Sequence, residues 1–175
     1  GVVEGLQPHF RVVAMDARGH GDSSGASGGD AYHWRRFPED ILAVAHVLAP
    51  EAPGGCVALG LGHSFGGTSM IAAAGLEPAL FERIVAVDPV VLPPAWAKAR
   101  PGGSRGNTLA EGARKRRSVF ASREEARGRW EGKDFFAAWD PRALDLYLEE
   151  GLRERADGRV ELKCTPEVEA TVFEG

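Results

Sequence analysis

The sequence is poor in cysteine, has no long apolar run and carries no large excess of either charge. Its 2 cysteines, Cys56 and Cys164, stand far apart and make neither a disulfide framework nor a metal-ligand spacing. A reducing compartment, and so a cytoplasmic protein, is the default expectation. No stretch approaches the roughly 20 apolar residues of a membrane span, and the first residues lack the basic and apolar pattern of a signal peptide. With 21 Lys+Arg interspersed among 25 Asp+Glu, a net charge of -4 gives no electrostatic reason to expect nucleic acid or an acidic membrane surface as partner. There is no internal repeat and no low-complexity tract. What is there is an ordinary globular composition, 175 residues and 43% hydrophobic, enough to bury the core of about one domain and suited to a small-molecule partner. The sequence begins at Gly1 without a methionine and stops in mid-pattern at Phe173-Glu174-Gly175, which reads as a piece of a longer protein.

Along the chain, Phe10 to Met15 is a short β-rich run followed by a Gly/Ser-rich turn segment from Asp16 to Asp30. Pro38-Glu39-Asp40 then opens an amphipathic helix carried by Ile41, Leu42, Val44, Ala45, Val47 and Leu48 and stopped near Pro50 and Pro53. Cys56 to Gly62 reads as a buried strand, Thr68 to Ala74 as a small-residue helix broken by Gly75 and Pro78, and Arg83 to Pro89 as a third strand. Strand, helix, strand, helix, strand predicts a parallel α/β core over 1–90. Beyond it, Pro93-Pro94 and the glycines around Gly102 to Gly106 lead into charged helical stretches without strands between, predicting a helical insertion over 91–175. Ser122 with Glu125 forms a capping-box pattern, Asp140-Pro141 and Thr165-Pro166 are further helix starts, and Leu144, Tyr147, Leu148 and Leu152 form an apolar stripe.

The most informative local pattern is Gly62-His63-Ser64-Phe65-Gly66, a G-x-S-x-G spacing where the apolar strand meets the small-residue helix. A serine on such a turn adopts a strained backbone. Glycines on either side are expected to let strand and helix approach without Cβ clashes. The helix N-terminus beside it suits a nucleophile whose intermediate carries negative charge. A rival reading is a dinucleotide fingerprint, Gly60-x-Gly62-x-x-x-Gly66, with Asp88 at the end of the next strand as a ribose-binding acid. That motif normally opens its domain, whereas a strand and helix precede this one, and a central serine followed by Gly66-Gly67 favours the elbow. A purely structural glycine turn is the third reading.

A second pattern, Asp16-Ala17-Arg18-Gly19-His20-Gly21-Asp22-Ser23, follows the first predicted strand as D-x-R-G-H-G-x-S. With both patterns in this order, the chain resembles the α/β-hydrolase fold superfamily from about Phe10 to Pro89. The helical region resembles, more loosely, the cap or lid domain of such enzymes. The resemblance implies that Ser64 is the nucleophile and that the backbone N–H of Phe65 is one oxyanion donor. It implies an esterase or lipase-like hydrolase of an apolar ester or acyl substrate, with no cofactor and no metal. Asp88 stands where some members, such as haloalkane dehalogenases, place the triad acid, although most place it one strand later, and a turn residue is the other reading. The general base should follow the acid, but His9, His20, His33, His46 and His63 all precede Ser64. The resemblance therefore places the base and the second oxyanion donor outside these 175 residues.

Other candidates have two readings each. His63 and Phe65 could contact substrate, His63 being more readily a residue packed into the fold. Arg18, His20 and Asp22 are expected to hold their loop by hydrogen bonds, and Arg114 to Arg117 to be a solvated face among acidic neighbours rather than a nucleic-acid patch. Trp96, Trp130, Trp139, Phe135, Phe136 and Tyr147 either wall an apolar pocket or pack the core of the cap. A serine rather than an aspartate at position 64 argues against dehalogenase and epoxide-hydrolase chemistry. Serine-dependent C–C bond hydrolases, cofactor-free perhydrolases and a non-catalytic binding protein of the same fold remain open.

Overall fold

A computed structural model describes residues 1–28, 30–91 and 108–175. The expectations for Pro93, Pro94, Trp96 and Gly102 to Gly106 lie outside them. In chain order the described elements are α1 (Val2–Leu6), α2 (Arg36–Leu48), β1 (Gly60–His63), α3 (Phe65–Leu76), β2 (Ile84–Val87), α4 (Thr108–Arg114), β3 (Val119–Phe120), α5 (Arg123–Trp130), α6 (Asp134–Ala137), α7 (Pro141–Glu150), β4 (Leu152–Glu154), β5 (Val160–Leu162) and α8 (Pro166–Glu174). They fall into two compact units, residues 26–117 with 165–175, and residues 1–25 with 118–164.

In the first unit β1 and β2 pair in parallel, with Gly60 opposite Ile84 and His63 opposite Val87. A parallel pair needs a crossover, and α3 supplies it. It packs on both strands, and α2 packs on it. Small side chains make this possible: Ala73 is fully buried, in a core with Leu42, Ala45 and Phe81. A Cβ at Gly60 would lie 2.6 Å from the Met70 sulfur, so glycine there seats the methionine against the strand. Upstream of β1 the expected strand is reduced to a parallel bridge between Val57 and Phe81. In the same unit α4 and α8 pack through Ala110, Ala113 and Ala170. Three carboxylates of α8 take up the basic run there: Arg114 binds Glu167 and Glu174, and Arg116 binds Glu169. The Glu174 carboxyl is held below its usual range by its hydrogen bond from Arg114.

The second unit corrects two expectations. Residues 11–17 form no strand. A strand is defined by ladder bonds, and none is assigned to this run, whose Val13 and Met15 are 49% and 41% exposed. The charged stretches, conversely, are not purely helical, because β3, β5 and β4 form an antiparallel sheet in that order. Leu152 belongs to β4 rather than to the helix before it. The core comprises Phe120, Ala126, Trp130, Leu144, Leu148, Leu152, Val160 and Leu162, with Phe136 and Tyr147 packed against it. The helix starts expected at Ser122, Asp140 and Thr165 are present, whereas α2 begins at Arg36, two residues before the expected Pro38. Ser122 accepts from Glu125 N–H, Asp140 from Arg142 N–H and Thr165, in the other unit, from Val168 N–H. The Glu125 carboxylate accepts from the N–H of Ala121, the residue before the cap, at 2.6 Å.

Candidate active site

β1 ends at His63, and α3 begins at Phe65, so Ser64 alone makes the turn. Its φ of 51° and ψ of -122° are those of the first central residue of a type II′ turn, a place normally held by glycine. A side chain there costs about 1–3 kcal/mol and persists only where the surroundings enforce it. They do so by hydrogen bonds on both sides. Ser64 N–H donates to Val87 O at 2.9 Å, extending the ladder by one bond, and Ser64 O accepts from Thr68 N–H at 3.1 Å. The Thr68 hydroxyl also donates to Val90 O at 2.9 Å, tying the first turn of α3 to the chain leaving β2.

The two bracketing glycines have different roles. A Cβ at Gly62 would fall on the carbonyl oxygen of Gly66, 2.5 Å from Gly66 C and 2.7 Å from Gly67 N, so strand and helix backbones touch there. A Cβ at Gly66 would meet nothing within 4 Å. The expectation that both glycines relieve a clash thus holds at Gly62 only. Gly67 takes the second close approach, its Cβ position lying 3.1 Å from Gly62 O and 3.3 Å from Pro89 Cβ.

Phe65 is the first residue of α3, and an N–H at that position has no intrahelical acceptor. Its ring is half-buried and held edge-on by Trp34 and Phe37, with centroids 5.1 Å and 4.5 Å away. Neither aromatic was singled out from the sequence. His63, expected to pack inward, is exposed. Asp88 follows β2 directly, is exposed and has φ 45°, a left-handed conformation that aspartate tolerates better than most residues.

The Asp16 to Ser23 loop lies in the other unit and is held by its own groups. The Asp16 carboxylate accepts from Asp22 N–H at 2.9 Å, and Ser23 Oγ donates to Asp16 O at 2.7 Å. His20 Nδ1 lies 3.0 Å from Arg18 O. Gly21 has φ 52°, and a Cβ there would fall on the Asp16 carboxylate. Lys163 adds an ion pair to Asp22 at 2.8 Å. Among the six aromatics named from the sequence, Trp130 is core, Phe136 stacks on it at 5.8 Å, Trp139 and Tyr147 join the same cluster, and Phe135 is 70% exposed. Among the described residues no group of three or more His, Cys, Asp or Glu is placed to hold a metal ion. No helix among them is long and apolar enough to cross a membrane.

The model of the alpha/beta hydrolase family matches residues 2–167. A type I acyl-CoA thioesterase of Penicillium roqueforti, mpaH, is 30% identical over 155 residues, which cover 79% of this chain and 34% of the thioesterase. Among solved structures, the peroxisomal alpha-beta-hydrolase Lpx1 of Saccharomyces cerevisiae superposes with a TM-score of 0.68 at 22% identity, over 98% of this chain and 51% of that protein. An N-formylmaleamic acid deformylase of Pseudomonas putida does so with a TM-score of 0.66 at 24% identity, over 99% of this chain and 57% of the deformylase. The chain spans about a third of the length of the curated relatives it matches, 34% of the thioesterase and 39% of an abhydrolase domain-containing protein of Alternaria alternata.

Proposed function

This chain belongs to the alpha/beta hydrolase family, and on that footing we propose that it carries the nucleophile of a serine hydrolase acting on carboxylic esters or thioesters. The observation that carries the reading is the backbone of Ser64, which keeps a side chain at φ 51° where glycine would be unstrained. Strain retained at a residue with a nucleophilic hydroxyl, at the start of a helix, is what covalent catalysis calls for. The 30% identity to an acyl-CoA thioesterase supports an acyl substrate.

In the proposed reaction Ser64 Oγ bonds to the acyl carbon while its proton passes to a histidine base. None of the five histidines of this chain follows Ser64, and the base is proposed to belong to the rest of the full-length protein. The oxyanion that forms accepts from Phe65 N–H, with the N-terminus of α3 adding its partial positive charge. The alcohol or thiol leaves with the proton, and water then releases the acid from the acyl-enzyme. Asp88 is the carboxylate nearest in register to Ser64. Its exposure and left-handed backbone support the turn role over that of triad acid.

The test is labelling of the full-length protein by a fluorophosphonate, in which Ser64 Oγ bonds to phosphorus and fluoride leaves. Labelling abolished in Ser64→Ala, together with hydrolysis of p-nitrophenyl butyrate, supports the reading. Equal labelling of both proteins overturns it.

A further inference from the structure

The grip on Phe65 is built from parts far apart in sequence. The Trp34 indole N–H donates to Val172 O at 2.6 Å, across 138 residues. Val172 lies in the last turn of α8, where carbonyls lack intrahelical donors, so the indole satisfies a helix end and is itself fixed by it. So anchored, the indole meets the Phe65 ring edge-to-face at 71°, and Phe37, 2% exposed, meets it at 87°. Gly175 closes the arrangement, because a Cβ there would lie 2.9 Å from His33 Cα and 3.3 Å from Trp34 N.

Phe65 shares a peptide with the strained Ser64, and that peptide carries the N–H read as oxyanion donor. Its orientation is set by ψ of Ser64 and φ of Phe65. Hydrogen bonds hold the Ser64 side of the peptide, whereas the Phe65 side chain is the lever on the other. We infer that Trp34 is a positioning residue for the oxyanion amide, acting through the Phe65 ring and braced by the C-terminal turn of α8. The inference rests on the reading of Ser64 as nucleophile and Phe65 N–H as donor. A donor matters in the transition state and little in the ground state, so a tilted amide lowers kcat and leaves KM alone.

The experiment uses the full-length protein, p-nitrophenyl butyrate as substrate and a fluorophosphonate as probe. Trp34→Leu removes the ring and the indole N–H, and Trp34→Phe keeps a ring but releases the helix end. Misplacing a donor costs up to about a hundredfold. Trp34→Leu is expected to lower kcat by about tenfold to a hundredfold and Trp34→Phe by less, KM staying within about twofold in both. The rate of phosphonylation falls in step while its final extent is unchanged. Because Trp34 acts through Phe65, its effect is also expected to shrink in a Phe65→Leu background, where little is left to position. Should Trp34→Leu fail to fold, Trp34→Phe and its Phe65→Leu double variant decide the matter. Wild-type kcat in Trp34→Phe, a change confined to KM, or full additivity with Phe65→Leu overturns the positioning role. Absence of labelling at Ser64 in the unmutated protein overturns instead the underlying reading, so the two failures are distinguishable.

Discussion

Ser64 and Asp88 each stand one residue beyond the last register pair of the parallel sheet, His63 opposite Val87. They are also the two non-glycine residues with positive φ among the described residues, at 51° and 45°. Neighbouring strand ends thus both leave the sheet through backbone conformations that L-residues disfavour. Strain is concentrated at the carboxyl edge, where open α/β sheets bind their ligands.

The strain at Ser64 has a measurable sign. Glycine normally loses to alanine through its larger unfolded-state entropy, by roughly 0.5–1 kcal/mol. At position 64 the order reverses, because glycine releases about 1–3 kcal/mol of backbone strain. Denaturant unfolding is expected to show Ser64→Gly at least as stable as Ser64→Ala. An alanine variant clearly the more stable would mean that the turn is relaxed.

The unequal glycines predict unequal variants. In Gly62→Ala the new methyl meets the Gly66 and Gly67 backbone, which cannot rotate away, and a loss of about 1–3 kcal/mol or more is expected. In Gly66→Ala the methyl enters open space within a helix, and stability is expected to be unchanged or to rise by up to about 1 kcal/mol. Thermal melts of the two variants check the contrast.

At Asp88, Asn keeps the tolerance for a left-handed backbone and removes the charge. For a turn residue, Asp88→Asn retains hydrolysis of p-nitrophenyl butyrate within about threefold, and Asp88→Ala is the less stable variant. A loss of about a thousandfold or more with folding intact would make Asp88 the triad acid instead.

The elbow and the three helix caps were legible in the sequence because their chemistry is local: a cap needs an oxygen two or three residues before an N–H. The antiparallel sheet was not. β4 and β5 have three residues each, too short for an alternating pattern to register, and they bear Arg153 and Glu161, which pair across the strands at 2.8 Å. Phe10 to Met15 misled in the opposite direction, since β propensity signals a chain able to pair and cannot supply a partner. The brace on Phe65 was beyond any local reading. Nothing near Trp34 in sequence announces a carbonyl in the last turn of a helix at the far end of the chain.

The turn between β4 and β5 predicts an acid limit. A hydrogen bond from Arg159 pulls the Asp157 carboxyl from 3.8 down to about 2, and those from Arg153 and Arg155 lower Glu161. Depressed folded-state values stabilise the fold fully above the unfolded ones and lose that effect as pH falls through the folded ones. The local stability of this hairpin is therefore expected to decline from about pH 4.5 towards pH 2, by a modest amount because the groups are exposed. Carboxyl titration followed by NMR checks the cause, the Asp157 midpoint moving up towards 3.8 in Arg159→Gln.

Packing in the same unit separates two phenylalanines. Phe120 is 1% exposed and Phe135 70%. Phe120→Ala is expected to cost about 3–5 kcal/mol and Phe135→Ala about 0.5 kcal/mol or less, as measured by denaturant unfolding.

The hydrogen bond from Ser64 N–H to Val87 O also has a kinetic meaning. Its two ends lie on either side of α3, so it forms only after that whole crossover has closed, in contrast to the hairpin of β4 and β5, whose contacts are local. Before closure nothing forces Ser64 out of an ordinary backbone conformation. The left-handed turn at Ser64 is thus acquired late in folding and lost early when β2 detaches. A nascent or partly opened chain would carry Ser64 without the tense turn until the sheet is complete.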